Sequence, residues 1–389
     1  MNPKVIIRTD GNPEIATGHI ARCCTIAEEL NKKGADVCFV VSDNDSAALI
    51  CRFAPSYPVR IAGVSYRHPE EELSAGEETF ESFYKAADMI LVDSYFATTD
   101  WIAALRRISK VTIIDDLMRD DFPVDLVINY DIDPQISFYR HAGCILSGAS
   151  YAPLRPQFAV AAESCKVRNE VRNILITTGG TDPYNVAGRL VLSLRSSVSA
   201  FKNKADQVGP ACQAELSELT IHIVAGPLNS HVGELKTLAE NSGSAADNTD
   251  GSHQCAVHVA LHTDVTDMAS LMASCDIAVT AGGTTLYELC AVGVPTLTFS
   301  MADNQLSDTY AFNEAGAAMY CGDMRPASGN PGITTGSDDE TLSRLTKEVI
   351  LLCAPEGRAT RLASSKAMRS LTDGLGAGRI AGKIIEIIN

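Results

Sequence analysis

With 389 residues, 46% hydrophobic and 21% charged, the chain has the composition of a folded protein and is too long for one ordinary domain. Two α/β halves of roughly 150 to 200 residues, each burying its own core, are the starting expectation. A formal net charge of −16 without clustered Lys and Arg excludes a nucleic-acid surface, and no run approaches the roughly 18 consecutive apolar residues of a membrane span. The start of the sequence lacks a secretory signal. None of the twelve cysteines forms a Cys-x-x-Cys, so they read as reduced thiols of a cytoplasmic protein.

From residue 4 short apolar runs alternate with segments of helical period, the pattern of a parallel sheet covered by helices. Strands are predicted at Val5 to Arg8, Val37 to Val41, Met89 to Val92, Val111 to Ile114 and Leu126 to Asn129, with helices over 18–33, 79–87 and 99–108. A break follows at Tyr151-Ala-Pro-Leu-Arg-Pro156, and the polar stretch 163–172 reads as a linker. The pattern then restarts, with strands near Ile174 to Thr177, Ile221 to Val224, Val257 to Leu261, Ile277 to Thr280 and Thr296 to Phe299. The predicted domains are therefore 1–162 and 171–389, both doubly wound. Residues 241–254 and 325–339 lack periodicity and read as surface insertions, and Arg379 to Ile388 as a short amphipathic helix.

In open parallel sheets ligands bind beyond the carboxyl ends of the strands, so the strand-to-helix loops are where chemistry is expected. The first runs from Arg8 to Gly18-His19. Thr17 is placed to cap a helix in which Ile20, Cys23, Ala27 and Leu30 share one face, until Gly34 supplies a left-handed stop. His19 falls in the first turn, where the helix dipole disfavours an imidazolium; it is either a proton acceptor or a histidine with no chemical role. The second loop, Gly179-Gly180-Thr181-Asp182, leads to a helix from about Asn185 and is either a turn or an approach for a ligand's oxygens. In the third, a buried strand ends in Gly282-Gly283-Thr284-Thr285, whose N–H and hydroxyl donors suit a diphosphate at the helix start. Glu288 lies three and four residues on, hence on the same face, where a carboxylate can hold a ribose diol or simply complement the helix dipole.

Gly18-His19, followed in the second half by Gly-Gly-Thr-Thr-x-x-Glu before Gly293-x-Pro295, resembles the GT-B sugar-nucleotide enzymes. The chain is more closely similar to the UDP-diacetamido-trideoxyhexose hydrolases of pseudaminic acid biosynthesis and their spore-coat polysaccharide relatives. The matching stretches are Arg8-Thr9-Asp10, Gly18-His19-Ile20-Ala21-Arg22, Val92-Asp93-Ser94-Tyr95, Ile114-Asp115-Asp116, Tyr151 to Pro156, Gly179 to Asp182 and Asp303-Asn304-Gln305. The resemblance implies a GT-B architecture with its active site in the interdomain cleft, and an enzyme needing no metal or cofactor that releases UDP and a free sugar. By the same resemblance His19 activates water at the anomeric carbon, Asn304 helps hold substrate and water, and Tyr95 lines the site. The UDP-sugar is then met by Gly18, Gly180, Thr181, Gly282, Gly283, Thr284, Thr285, Glu288 and Gln305. A transferase of the same fold, and a sugar-nucleotide sensor without catalysis, are the alternatives.

Other features carry less. Asp43-Asn-Asp45 has the form of a metal-binding Asp-x-Asp but follows a strand in a fold class that holds diphosphate with helix ends. His253, Cys255, His258 and His262 lack the paired spacing of structural zinc. Asp115-Asp116 either meets sugar polar groups or caps the next segment. His262 to Met268 is a loop suited to uracil.

Overall fold

The computed structural model describes residues 2–12, 14–15, 17–205, 218–226, 228–243, 256–326 and 338–389. Most of the two expected insertions, together with His253 and Cys255, lies outside the described residues. The chain forms two compact units, Met1–Pro156 with Thr372–Asn389, and Gln157–Leu371.

In the first unit seven strands build one parallel sheet: β1 (Lys4–Thr9), β2 (Asp36–Val41), β3 (Val59–Ile61), β4 (Met89–Asp93), β5 (Lys110–Ile114), β6 (Leu126–Asn129) and β7 (Ile145–Ser147). Their order is β3-β2-β1-β4-β5-β6-β7. The helices α1 (Gly18–Lys32), α2 (Asn44–Phe53), α3 (Glu77–Tyr84) and α4 (Thr99–Ile108) connect them. The central strands are continuous apolar runs because helices cover both faces: Val5, Ile7, Ile90, Leu91 and Val92 have no exposed surface. Ile20, Cys23, Ala27 and Leu30 of α1 are equally buried, and Gly34, at φ +84, ends the helix as its sequence implies. Thr17 occupies the N-cap position but makes no side-chain capping bond.

The second unit opens with α5 (Gln157–Ser164), directly after the break expected at Tyr151 to Pro156 and running into the first residues of the expected linker 163–172. Its sheet contains β8 (Asn173–Thr177), β9 (Glu218–Ala225), β10 (Ala256–Thr263), β11 (Ile277–Ala281), β12 (Thr296–Ser300) and β13 (Ala318–Asp323), in the order β10-β9-β8-β11-β12-β13 and again parallel. The helices are α6 (Val186–Ala205), α7 (Val232–Gly243), α8 (Met268–Ser274), α9 (Thr284–Val292), α10 (Leu306–Glu314), α11 (Asp338–Cys353) and α12 (Gly357–Leu371). Each sheet therefore has the Rossmann-like order 3-2-1-4-5-6, with a seventh strand added in the first unit. Three strands escape the sequence pattern: β3 and β7, only three residues each, and β13, which ends in Gly322-Asp323. Short edge strands give too few residues for an alternation to register.

The topology fixes where loops converge. Strand order reverses between β1 and β4 in the first sheet and between β8 and β11 in the second, and ligand crevices open at such switch points. All three loops singled out in the sequence leave strands that flank these points.

The last helix, α13 (Gly376–Ile388), packs on α1 and on the 149–151 turn, so it belongs with the first unit although the sequence had placed everything from 171 onward in the second. Ala377, Ile380, Ala381 and Ile384 form its buried face. Its first residue must be glycine: a Cβ on Gly376 would lie 2.2 Å from the carbonyl oxygen of Ala152 and 2.5 Å from the carbonyl carbon of Tyr151. Neither backbone atom can swing away. Gly376→Ala is therefore expected to destabilise the first unit by about 1–3 kcal/mol, the usual cost of overpacking. Urea denaturation checks this; an unchanged midpoint would remove the close-approach explanation.

Candidate active site

The loop after β1 is built on buried charge. Arg8, without exposed surface, donates to Asp10 at 2.5 Å, to Glu72 at 2.8 Å and to the Ser42 hydroxyl at 2.7 Å. Asp10 in turn accepts from the Ser42 backbone N–H at 2.6 Å. The Arg8-Thr9-Asp10 part of the motif thus anchors the loop to the sheet. Asn12 continues the job, its side-chain oxygen accepting from the N–H groups of Glu14 and Ile15.

Beyond this loop α1 delivers His19, 5% exposed, to the carboxyl end of β4. Its Nδ1 lies 2.7 Å from Oδ1 of Asp93, the final residue of β4. Arg22, one turn further along α1, donates Nε to Asp93 Oδ2 and Nη2 to Oδ1, both at 2.6 Å. Its Nη1 reaches Asp116 at 2.5 Å and also the hydroxyl of Tyr130, which itself donates to Asp116 at 2.8 Å. Burial alone would push the Asp93 carboxyl upward, but the Arg22 charge and the His19 contact hold it well below the usual carboxylate range. Asp93 is consequently an ionised acceptor. A carboxylate facing Nδ1 puts the ring hydrogen on that nitrogen and leaves the lone pair on Nε2, the arrangement of a histidine base with its orienting acid.

Tyr95 stands beside this pair, its ring edge-on to His19 with centroids 4.3 Å apart. Burial and the Asp116 charge raise its hydroxyl above the ordinary tyrosine value, so it stays a neutral donor. Together with Asp10, Ile15, Tyr66 and Phe96, His19, Asp93 and Tyr95 line a narrow recess. Gly18 is exposed at the start of α1. The sequence-expected pair His19 and Tyr95 is brought together, and three partners carry roles that spacing did not reveal: Asp93, Arg22 and Asp116. They lie 74, 3 and 97 residues from His19 in sequence, and only the position of Asp93 at a strand's carboxyl end and Arg22 at helical spacing hinted at them. The two aspartates that left alternatives open now separate. Asp115 holds the turn through the Arg119 N–H at 3.1 Å, whereas Asp116 serves the Arg22 network.

In the second unit the glycine loops are more committed to the fold than their sequences suggest. The Asp182 carboxylate caps α6 by accepting from the N–H groups of Val186 and Ala187, so those donors, expected to meet a ligand, are taken. Gly180 and Thr181 remain exposed beside it. Gly226 packs on this turn: a Cβ there would fall 2.4 Å from the Gly179 carbonyl oxygen. The Gly282 N–H is likewise spent, donating to Phe299 O at 3.0 Å across to β12. Gly282 is glycine for closeness, its Cβ position lying 2.8 Å from Thr309 and 3.0 Å from Gln305. Gly283, at φ +125, turns the chain into α9, leaving Thr284 exposed and Thr285 and Glu288 half-buried on the first turns. Gln305 is structural in part, its side-chain oxygen accepting from the Met301 N–H at 2.8 Å, and Asn304 is exposed on the same short turn. Gly282, Gly283, Thr284, Thr285, Glu288 and Gln305 thus form one cluster at the β11 end.

The remaining motifs find partners within their own unit. Asp43 caps α2 through the Ser46 N–H at 2.8 Å, and Asp267 caps α8. His262 is stacked on His222, with ring nitrogens 3.0 Å apart. Among the described residues no three His, Cys, Asp or Glu side chains are grouped to hold a metal, and no helix is long and apolar enough to cross a membrane.

No family model matches the chain. It is 23% identical over 389 residues to the spore coat polysaccharide biosynthesis protein SpsG of Bacillus subtilis (strain 168), covering 98% of this chain and 97% of that protein. Among solved structures it is similar to Acinetobacter baumannii MurG, with a TM-score of 0.64 at 13% identity and 99% of each chain covered. LpCGTa, solved in complex with UDP, gives a TM-score of 0.59 at 11% identity over 100% of both chains. At these identities the structural likeness shows the fold, which is that of GT-B glycosyltransferases.

The Asp93 environment makes acid sensitivity predictable. Its folded-state value is lowered, so its contribution to stability is complete above the unfolded carboxylate value of about 4 and fades as pH falls toward the lower folded value. Asp93→Asn is expected to reduce stability at pH 7, because Arg22 loses a buried counter-charge, yet to lose less than the parent between pH 5 and pH 3. Denaturant midpoints at the three pH values test this; parallel acid losses in both proteins would remove Asp93 as the source.

Proposed function

We propose that this protein is a GT-B-type enzyme acting on sugar nucleotides in polysaccharide biosynthesis, and specifically a hydrolase of a UDP-activated diacetamido-trideoxyhexose. The products are UDP and the free sugar for nonulosonic (pseudaminic) acid synthesis. The observation that carries the reading is the His19–Asp93 pair at the β1/β4 switch point: a histidine whose free Nε2 is left basic by an ionised carboxylate on Nδ1. The likeness to SpsG, and to a protein with UDP bound, supports the wider class.

In this reading the N–H groups and hydroxyls at Gly283, Thr284 and Thr285 hold the diphosphate, with Gly180 and Thr181 beside it, and Glu288 accepts from the ribose diol. UDP is a good leaving group, so stabilising the charge that grows on its outer phosphate is the larger task. His19 Nε2 takes the proton of a water attacking the anomeric carbon from the side opposite UDP, which inverts that centre. Asp93 stabilises the imidazolium as it forms. Tyr95 and Asn304 orient sugar and water.

A transferase that passes the sugar to a polysaccharide or lipid acceptor is favoured by the fold it shares with MurG. Purified protein incubated with the UDP-sugar, EDTA and no acceptor separates the two: hydrolysis releases UDP and sugar at full rate, a transferase releases neither. His19→Ala is expected to lower kcat by about 10²–10⁴-fold. Turnover that survives this change defeats the assignment of the base. Glu288→Gln, by weakening nucleotide binding alone, should raise KM with kcat nearly unchanged.

A further inference from the structure

Arginines near sugar nucleotides commonly clamp phosphate with their planar fork. Arg22 is otherwise engaged. Its guanidinium is 6% exposed, Nε and Nη2 grip both oxygens of Asp93, and Nη1 is shared between Asp116 and Tyr130. The second Nη2 direction faces His19 Nδ1 at 3.0 Å. One side chain on α1 thereby ties that helix to residues at the carboxyl ends of β4, β5 and β6, with four of its five hydrogens spent on Asp93, Asp116 and Tyr130.

The contact between Asp93 and His19 depends on this grip. At 2.7 Å a hydrogen must lie between Oδ1 and Nδ1. If the carboxylate is ionised the hydrogen belongs to Nδ1, and Nε2 is a base. If Asp93 were neutral, its O–H could donate to Nδ1 and Nε2 would carry the ring hydrogen, a form with no lone pair to offer water. Asp93 is 1% exposed, where an unpaired carboxylate is strongly disfavoured. The Arg22 cation is the group that permits its charge, since a proton shared with a neutral imidazole cannot.

We propose that Arg22 is a positioning residue that keeps Asp93 an ionised acceptor and so decides which nitrogen of His19 carries the hydrogen. The inference rests on His19 as the base of the proposed reaction, but ring protonation is observable without substrate, so failure of either reading shows separately.

The test is a two-bond ¹H–¹⁵N correlation spectrum of the full-length protein labelled at histidine, at a pH where the ring is neutral, with His19 assigned by its loss in His19→Gln. The parent should show protonated Nδ1 and bare Nε2. Arg22→Lys, which keeps the charge, should retain that pattern; Arg22→Met, shown folded by circular dichroism, should shift to the Nε2-protonated form. A parent ring protonated at Nε2, or a folded Arg22→Met still protonated at Nδ1, overturns the proposal. If Arg22→Met does not fold, Arg22→Gln takes its place, a neutral side chain that can still donate a hydrogen bond to Asp93. There too the carboxyl loses its cationic partner and the ring should switch to Nε2–H; retention of Nδ1–H sinks the idea.

Discussion

A carboxylate at the end of β4 is buried with 1% of its surface exposed, and removing a charge from water is among the costliest things a fold can do. Asp93 is tolerated because Arg22 meets both of its oxygens and His19 and the Cys23 thiol approach what remains. The same guanidinium needs a second anion, which Asp116 supplies after β5, and a hydroxyl from Tyr130 after β6. The cluster is self-consistent only as a whole. Taking away Arg22 strands the buried Asp93 carboxylate, so α1 cannot slide along the sheet without breaking the cluster.

Parallel sheets explain why chemistry gathers at these strand ends. Inside each sheet the backbone polar groups are spent on neighbouring strands and both faces are covered by helices, so buried charged side chains such as Arg8 and Asp93 gather near strand ends. In the first unit β1 and β4 part company at the switch point, and the loop carrying Asp10 and Asn12 and the end carrying Asp93 lie side by side. In the second unit β8 and β11 do the same, bringing the Gly179-Gly180 and Gly282-Gly283 turns to adjacent positions. The glycines there serve the fold first. Gly282 and Gly226 sit where a methyl group would strike a neighbouring element, and Gly283 adopts a φ that side chains disfavour.

The chain carries a net charge of −16, yet a helix start such as that of α9 can attract an anion without a basic side chain, because helix N-termini present backbone donors. Global charge and local anion recognition are separate quantities: the former decays over a Debye length of about 10 Å in salt, the latter acts within a hydrogen bond.

The sequence by itself determined the α/β alternation, ten of the strands, the helix that starts at Gly18 and stops at Gly34, and the three loops that flank the switch points. These are local properties, since a fully buried strand must be an apolar run and a helix must repeat its apolar face every three or four residues. Tertiary structure alone decided which aspartate meets His19, because the partner is 74 residues away and no spacing rule reaches that far. It also decided that Arg22 serves Asp93 and Asp116, that Asp182 and Gly282 spend their polar groups within the fold, and that the C-terminal helix packs with the first unit through a glycine pressed against Ala152. Hydrogen-bond partners and close approaches depend on where elements land relative to one another. That is fixed by core packing, and side-chain periodicity carries no record of it.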